Sequence, residues 1–209
     1  MKQVIKADSP HYIFRNPNEY SVGGQSFAYY KNFFDTKELD WIEKYSKTLT
    51  FGGATTGAAQ KPTENPEKRK SKTGWISYNL DTQILYDKIF TAAANNPWGF
   101  DVTGIKDALQ YTLYPAEVEE QYYHAHRDAG PDYWYRKISM TIQLSDPDDF
   151  TGGGFEVEDP GGDGEWVSTP HTQKGDMIMF PSILRHRALQ VTGGLRKSLV
   201  VWVSGPPLR

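Results

Sequence analysis

The chain contains no cysteine among its 209 residues. Disulfides, thiolate zinc sites and iron–sulfur clusters are therefore excluded, and any metal it holds must take nitrogen and oxygen ligands. An excess of either charge is missing too. With 23 basic against 26 acidic residues the formal net charge is -3, which gives no electrostatic footprint for a phosphate backbone, so no nucleic-acid partner is expected. Long apolar runs are also absent. No stretch approaches the roughly 20 residues of a membrane span, and the opening MKQVIKADSPHYIFRNPNEY has no apolar core of the kind a secretory signal needs. The expectation is a soluble, cytoplasmic protein with no membrane partner; no pattern in the sequence fixes an oligomeric state.

A chain of this length buries roughly 70% of its unfolded surface, enough for one core without staples. A single domain over 1–209 is expected, with a mixed α/β support over about 1–107 and a β-rich core over about 108–205. In the first part, Asp35 stands three residues before Glu38 as in a capping box, and Leu39, Ile42 and Tyr45 then form an apolar stripe. A second helix is expected after Asp81, with Leu85, Ile89, Ala92 and Ala93 on one face and a stop before Asn95-Asn96-Pro97. Both helices are expected to pack on the outside of a sheet. Gly52 to Thr73, rich in Gly, Thr, Lys and Pro and without apolar period, reads as a long mobile loop of the kind that serves as a lid.

From Ala108 the pattern becomes short strands: Ala108–Tyr114, Glu119–His126, Lys137–Leu144, Phe155–Glu158, Glu165–Ser168, Asp176–Phe180 and Arg196–Ser204. Turn signals separate them at Asp146-Pro147-Asp148-Asp149, Gly152-Gly153-Gly154, Pro160 to Gly164 and Thr192-Gly193-Gly194. The acidic cluster at 146–149 lacks the ligand spacing of a calcium loop and reads as a solvated turn. This arrangement predicts a mainly β protein with flanking helices, its core a double-sheet jelly roll. In Ile138 to Leu144, apolar residues alternate with Ser139, Thr141 and Gln143, which puts one side on a core and the other toward an interior pocket.

The strongest local signal for chemistry is Tyr123-His124-Ala125-His126-Arg127-Asp128. His126 and Asp128 are two apart on a strand, point to one face and can grip one ion. His186 completes two imidazoles and one carboxylate if its strand lies beside the first. Such a facial triad leaves three metal positions open and suits an iron(II) oxygenase. His124 shares the parity of His126 and is a competing ligand on spacing alone; His11 and His171 have no partner at ligand spacing. Arg196, Ser198 and Trp202 lie on one face of a strand whose other face is Leu199, Val201 and Val203. An inward guanidinium there needs an anion: either a buried Asp or Glu, or a dicarboxylate whose keto-acid end chelates iron.

Taken together, Tyr114-Pro115, Tyr123-x-x-His126-x-Asp128, Gly153-Gly154-x-Glu156, Gly175-Asp176 ahead of Phe180-Pro181, and His186 with Arg196-x-Ser198 and Trp202 resemble the 2-oxoglutarate and Fe(II)-dependent dioxygenase superfamily, within it the prolyl 4-hydroxylase-like group. The resemblance runs from about Ala108 to Gly205. It implies a double-stranded β-helix (cupin-like) core, a His126, Asp128 and His186 iron triad with His124 outside it, and 2-oxoglutarate held through its distal carboxylate by Arg196. It further implies Tyr114 donating near the co-substrate, Gln143 where relatives place a tyrosine, Ser198 beside them and Trp202 lining the pocket.

As cofactors the resemblance implies Fe(II), 2-oxoglutarate and O2, with ascorbate as a candidate reductant. As reaction it implies hydroxylation of an unactivated C–H bond, with release of succinate and CO2. A proline-containing peptide or protein is the first substrate implied, with Trp75 and the preceding segment placed to contact it; another protein side chain, a free amino acid or a small metabolite are the alternatives. Two rivals stay open on the residues alone. One is a non-enzymatic jelly-roll module that binds carbohydrate or another ligand on its aromatics; the other is a metal enzyme on a cupin-like barrel that never uses 2-oxoglutarate.

Overall fold

The computed structural model describes residues 26–53, 55–56, 63–64, 71–116, 121–160, 164–170 and 173–207. In chain order the elements are β1 (Ala28–Tyr30), α1 (Thr36–Ser46), β2 (Gly52–Gly53), β3 (Thr55–Thr56), β4 (Thr63–Glu64), β5 (Lys72–Ile76), α2 (Gln83–Ala94), β6 (Leu109–Pro115), β7 (Gln121–His126), β8 (Arg136–Gln143), β9 (Phe150–Gly152), β10 (Phe155–Glu158), β11 (Trp166–Ser168), β12 (Met177–Pro181) and β13 (His186–Ser204). Among the described residues no helix is long and apolar enough to cross a membrane.

The major sheet runs β1-β12-β8-β13-β6-β5-β2, and its pairings are antiparallel. The N-terminal half of β13 leaves this sheet to pair with β7, β9 and β10, and β11 closes the free edge of β10. Two sheets that share one strand make the jelly roll expected from the sequence.

On the outer side of the major sheet Leu39 and Ile42 of α1 and Leu85, Ile89 and Ala93 of α2 join Ile138, Met140, Ile142, Leu199, Val201 and Val203 in one core. The predicted capping box is present, with the Glu38 amide donating to Asp35 Oδ1 at 2.9 Å and the Asp35 amide to Glu38 Oε2 at 2.7 Å. Lys88 of α2 reaches the same Glu38 at 2.6 Å and ties the helices together. Gly175-Asp176 anchors this region to the sheet. The Phe34 amide donates to the Gly175 carbonyl at 3.0 Å, and a Cβ on Gly175 (φ +91°) would lie 2.6 Å from the Phe34 carbonyl oxygen. The buried Asp176 carboxylate accepts from the Tyr29 hydroxyl, the Asn32 amide at 2.7 Å and the Gln173 amide at 2.9 Å.

Two expectations are corrected. Gly52 to Thr73 is not a structureless loop where it is described. Gly52 and Gly53 pair with Thr73 and Lys72, and Thr55 and Thr56 with Glu64 and Thr63, so the ends and middle of the segment are hairpin rungs. Threonine favours that conformation, and rungs two residues long are too short to show an apolar period. Positions 54, 57–62 and 65–70 lie outside the described residues, as do His11 and His171. The second correction concerns Thr192-Gly193-Gly194, which does not reverse the chain. It sits inside β13, where the register against β9 shifts between Val191 and Gly193. Glycine there marks a bulge rather than a turn.

Gly194 (φ +70°) has no room for a side chain, since its Cβ would lie 1.9 Å from the Asp149 carbonyl oxygen. Gly194→Ala is expected to cost roughly 2 kcal/mol or more in urea unfolding. Gly52→Ala, whose Cβ meets nothing within 4 Å, is expected to change stability by no more than about 0.5 kcal/mol.

Candidate metal centre

Pairing of β7 with β13 sets His126 directly opposite His186. Asp128 follows two residues later, and its position is pinned by the Ser182 carbonyl, which accepts from the Asp128 amide at 3.1 Å and the Ala129 amide at 2.9 Å. As a result His126 Nε2 lies 3.5 Å from Asp128 Oδ1, His186 Nε2 lies 3.4 Å from Asp128 Oδ2, and one ligand atom from each of the three residues falls within 4.8 Å of the others. Neighbouring ligands on a six-coordinate ion with bonds of about 2.1 Å are roughly 3 Å apart, so a small contraction brings these atoms onto one metal.

The surroundings prepare the three groups for that task. His126 Nδ1 faces the His124 carbonyl at 2.7 Å and His186 Nδ1 the Leu184 carbonyl at 3.1 Å. Donation from each Nδ1–H places the lone pair on Nε2, where the ion would sit. Ser139 donates to Asp128 Oδ2 at 2.7 Å and shares a 2.9 Å hydrogen bond with Ser182. Burial alone would push the Asp128 carboxyl up, but the imidazoles of His186 and His126 and the Ser139 hydroxyl hold it well below the usual carboxylate range. Burial pushes His186 down to about 4, against the pull of Asp128. Near neutral pH Asp128 is thus a carboxylate and His186 a neutral imidazole, as metal ligation requires. Phe155 and Phe180 flank the His186 ring, with centroids 5.7 and 4.6 Å away.

The triad lines a cavity between the two sheets, which Tyr114, Arg196, Ser198 and Trp202 also line. Arg196 is buried and faces Tyr114 across β6, its guanidinium 5.4 Å from the centre of that ring. Burial lowers its pKa below the ordinary value, yet a guanidinium remains charged in a protein. Among the described residues no carboxylate pairs with it, so the structural ion pair is excluded there and the charge is left for a ligand. Ser198 lies opposite Gln143, and the buried Gln143 Oε1 and Trp202 Nε1 have no hydrogen-bond partner among the described residues. A buried cation and unsatisfied polar atoms beside a two-imidazole, one-carboxylate cluster fit a metal and an anionic co-substrate.

His126, Asp128, His186, Tyr114, Arg196, Ser198 and Trp202 therefore line one cleft, while Gln143 lines a neighbouring pocket that shares Arg196 with it. Trp75, on β5, is 45% exposed; its ring lies 6.3 Å from that of Trp202, at the rim rather than in the cavity. His124 is exposed and outside the triad, and contributes its carbonyl to His126. The sequence reading missed Ser182 and Phe155, and it gave no site role to Phe180 or to Gly153, where a Cβ would meet Arg196 Cδ at 2.9 Å. The bond from Ser139 to Asp128 was likewise missed, although its inward parity on β8 was legible. Ser139→Ala is expected to weaken divalent metal binding about 10- to 100-fold in a Co(II) titration, with far-UV circular dichroism unchanged.

Comparison with known proteins agrees with this geometry. Residues 109–204 match the family model described as the 2OG-Fe(II) oxygenase superfamily. A PKHD-type hydroxylase from Idiomarina loihiensis is 31% identical over 153 residues, 73% of this chain and 64% of its own length. The chain thus spans somewhat less than two thirds of that relative. Among solved structures, a Trichoplax adhaerens prolyl hydroxylase in complex with a hypoxia inducible factor peptide fragment superposes with a TM-score of 0.66 at 15% identity, covering 88% of this chain and 86% of that one. HygX from Streptomyces hygroscopicus, with nickel and 2-oxoglutarate bound, gives 0.61 at 10% identity over 92% and 88%. Matched in sequence over its core and carrying the metal triad in a prolyl 4-hydroxylase-like fold, the chain belongs to the 2OG-Fe(II) oxygenase superfamily.

Proposed function

We propose that the chain is an Fe(II)- and 2-oxoglutarate-dependent dioxygenase that hydroxylates an unactivated C–H bond, with a peptidyl proline as its substrate. The observation that carries this reading is Arg196: a buried cation, without a carboxylate partner among the described residues, that shares one cavity with the triad. A non-enzymatic module would have no use for three converging ligand atoms, and a metal enzyme without 2-oxoglutarate leaves the guanidinium without a role.

In this reading His126 and His186 would hold iron(II) through Nε2 and Asp128 through a carboxylate oxygen. Arg196, whose guanidinium lies 5.4 Å from the Tyr114 ring, would take the distal carboxylate of 2-oxoglutarate through a charge-assisted pair, with Ser198 and Gln143 as neighbouring polar groups. The bound iron, 2-oxoglutarate and O2 together supply the oxidation that converts C–H to C–OH, with succinate and CO2 as co-products. The protein positions and keeps the site dry. Met140, Phe155, Phe180 and Val200 wall the cavity with apolar surface, which strengthens each polar contact inside it. Ser139 fixes the carboxylate plane of Asp128, and Trp202, with Trp75 against it, borders the side where a substrate would enter. The peptide named in the Trichoplax complex is what supports a peptide substrate here.

Anaerobic addition of Fe(II) and 2-oxoglutarate to the apoprotein is expected to give a weak visible charge-transfer band that needs both additions and is absent in His126→Ala. Arg196→Ala is expected to raise the KM for 2-oxoglutarate at least about tenfold, the loss of one charge-assisted fork, and excess iron does not restore it. No band in folded, metal-loaded protein sinks the reading, and unchanged 2-oxoglutarate dependence in Arg196→Ala removes its central contact.

A further inference from the structure

The inward row of β8 does not stop at the metal. Gln143 lies toward Arg196, Thr141 lines the cavity, and Ser139 touches Asp128. The next residue of the same parity is Lys137, on the far side of the triad from Arg196. Its side chain is 7% exposed, and its ammonium donates to one acceptor, the Trp134 carbonyl at 3.0 Å. An ammonium has three donors, and a buried cation is costly unless an anion faces it. Among the described residues no carboxylate lies within ion-pair reach of Lys137. This is the condition that marks Arg196 at the other end of the row.

Lys137 lines a groove walled by Phe100, Trp134, Ile183 and Pro207; Arg136 also lines it, but its guanidinium is already paired with Asp107 at 2.9 Å. Trp134 and Ile183 are large apolar residues left 53% and 54% exposed. The groove adjoins the metal centre through the backbone, because Ala129 and Gly130, which line it, directly follow Asp128, and Ile183 directly follows the Ser182 that pins Asp128.

We propose that this groove receives the part of the substrate peptide next to the reacting residue, and that Lys137 anchors a carboxylate of that peptide beside an apolar side chain held by Trp134 and Ile183. The triad then lies between two buried cations of separate duty, Arg196 for the co-substrate and Lys137 for the substrate. The inference rests on the hydroxylase reading for what lies over the metal; the groove's selectivity for an acidic peptide is a binding property and is measured without turnover. A carboxylate reaches Lys137 either from an Asp or Glu side chain or from the peptide's own C-terminus, and the assay separates the two.

The probes are blocked hexapeptides containing one proline, with Asp placed in turn at each position around it, each matched by its Asn counterpart, and one peptide ending at a free carboxylate matched by its amide. Binding is measured by anaerobic titration calorimetry on the full chain loaded with Fe(II) and 2-oxoglutarate. At one position the acid is expected to bind about tenfold or more tightly than its neutral match, and that position tells side-chain from terminal carboxylate. The preference is expected to vanish in Lys137→Met and in Ile183→Asp, which sets a like charge on an exposed wall; if Lys137→Met does not fold, Ile183→Asp decides. If no peptide binds, if no position separates acid from amide, or if the preference survives in the folded variants, the proposal is wrong. Succinate formed by the wild type from 2-oxoglutarate without peptide tests the hydroxylase reading separately. An acid preference without such turnover would keep the groove as an acidic-peptide site and remove the enzyme reading.

Discussion

The imidazole of His186 and the guanidinium of Arg196 share a cavity even though β13 breaks its alternation twice between them, because the two breaks cancel. A regular strand would also bring both residues to one face, since ten is an even separation. Here, however, His186 and Ala188 are buried, the next buried residue is Val191, and Arg196 and Ser198 are buried in turn. Parity is lost between Ala188 and Val191 and recovered by Arg196, and the pairing register shifts between Ala188 and Val191 and again between Val191 and Gly193. One bulge without the other would turn Arg196 toward the outer core and leave the triad without its anion site. The bulges also let the strand bend from one sheet into the other, so that one metal ligand, His186, and the anion site at Arg196 are carried on opposite halves of a single element.

Glycine holds this geometry in place. A Cβ on Gly152 would lie 2.3 Å from the Gln190 carbonyl oxygen, and one on Gly194 would lie 1.9 Å from that of Asp149, so backbone presses on backbone on both sides of the bulged stretch. Gly153, also at positive φ, packs against the side chain of Arg196 itself. The Gly153-Gly154 pair that reads in the sequence as a turn is therefore part of the anion site, although neither residue carries a chemical group. Gly175 plays a similar part at the opposite edge, where close contact with Phe34 docks the N-terminal segment on β12 and so covers the outer face of the sheet whose inner face lines the cavity.

Features set by local rules were legible in the sequence. The capping box at Asp35 and Glu38, the apolar faces of both helices, the alternation in β8 and the two-residue spacing of His126 and Asp128 all appear where period and composition place them. What escaped depends on long-range pairing. Ser182 meets Asp128 only because β12 and β8 pair with Phe180 opposite Ser139, a register that neither segment encodes alone. The glycines at 193 and 194 carry the same local signal in a turn and in a bulge, and the neighbouring strand decides between them. The hairpin rungs between Gly52 and Thr73 were hidden because pairs of two residues are too short to show a period.

The distribution of satisfied and unsatisfied polar groups separates scaffold from site. Asp176 is buried and meets three donors, and Tyr86 reaches the Ile76 carbonyl at 2.8 Å. These groups need nothing further. Of the four buried side-chain atoms without a partner among the described residues, Trp202 Nε1 belongs to a residue of the metal cleft and Gln143 Oε1 to one beside Arg196; Arg196 has no carboxylate there, and Lys137, in the adjoining groove, meets only a carbonyl. A domain whose net stability is about 5–15 kcal/mol carries such a deficit at a noticeable fraction of its total. The deficit is concentrated along one row and its facing strand, with the metal ligands between its two cations. An anion at either end relieves the unpaired charge there, so ligand binding and fold stability are linked through the same two side chains.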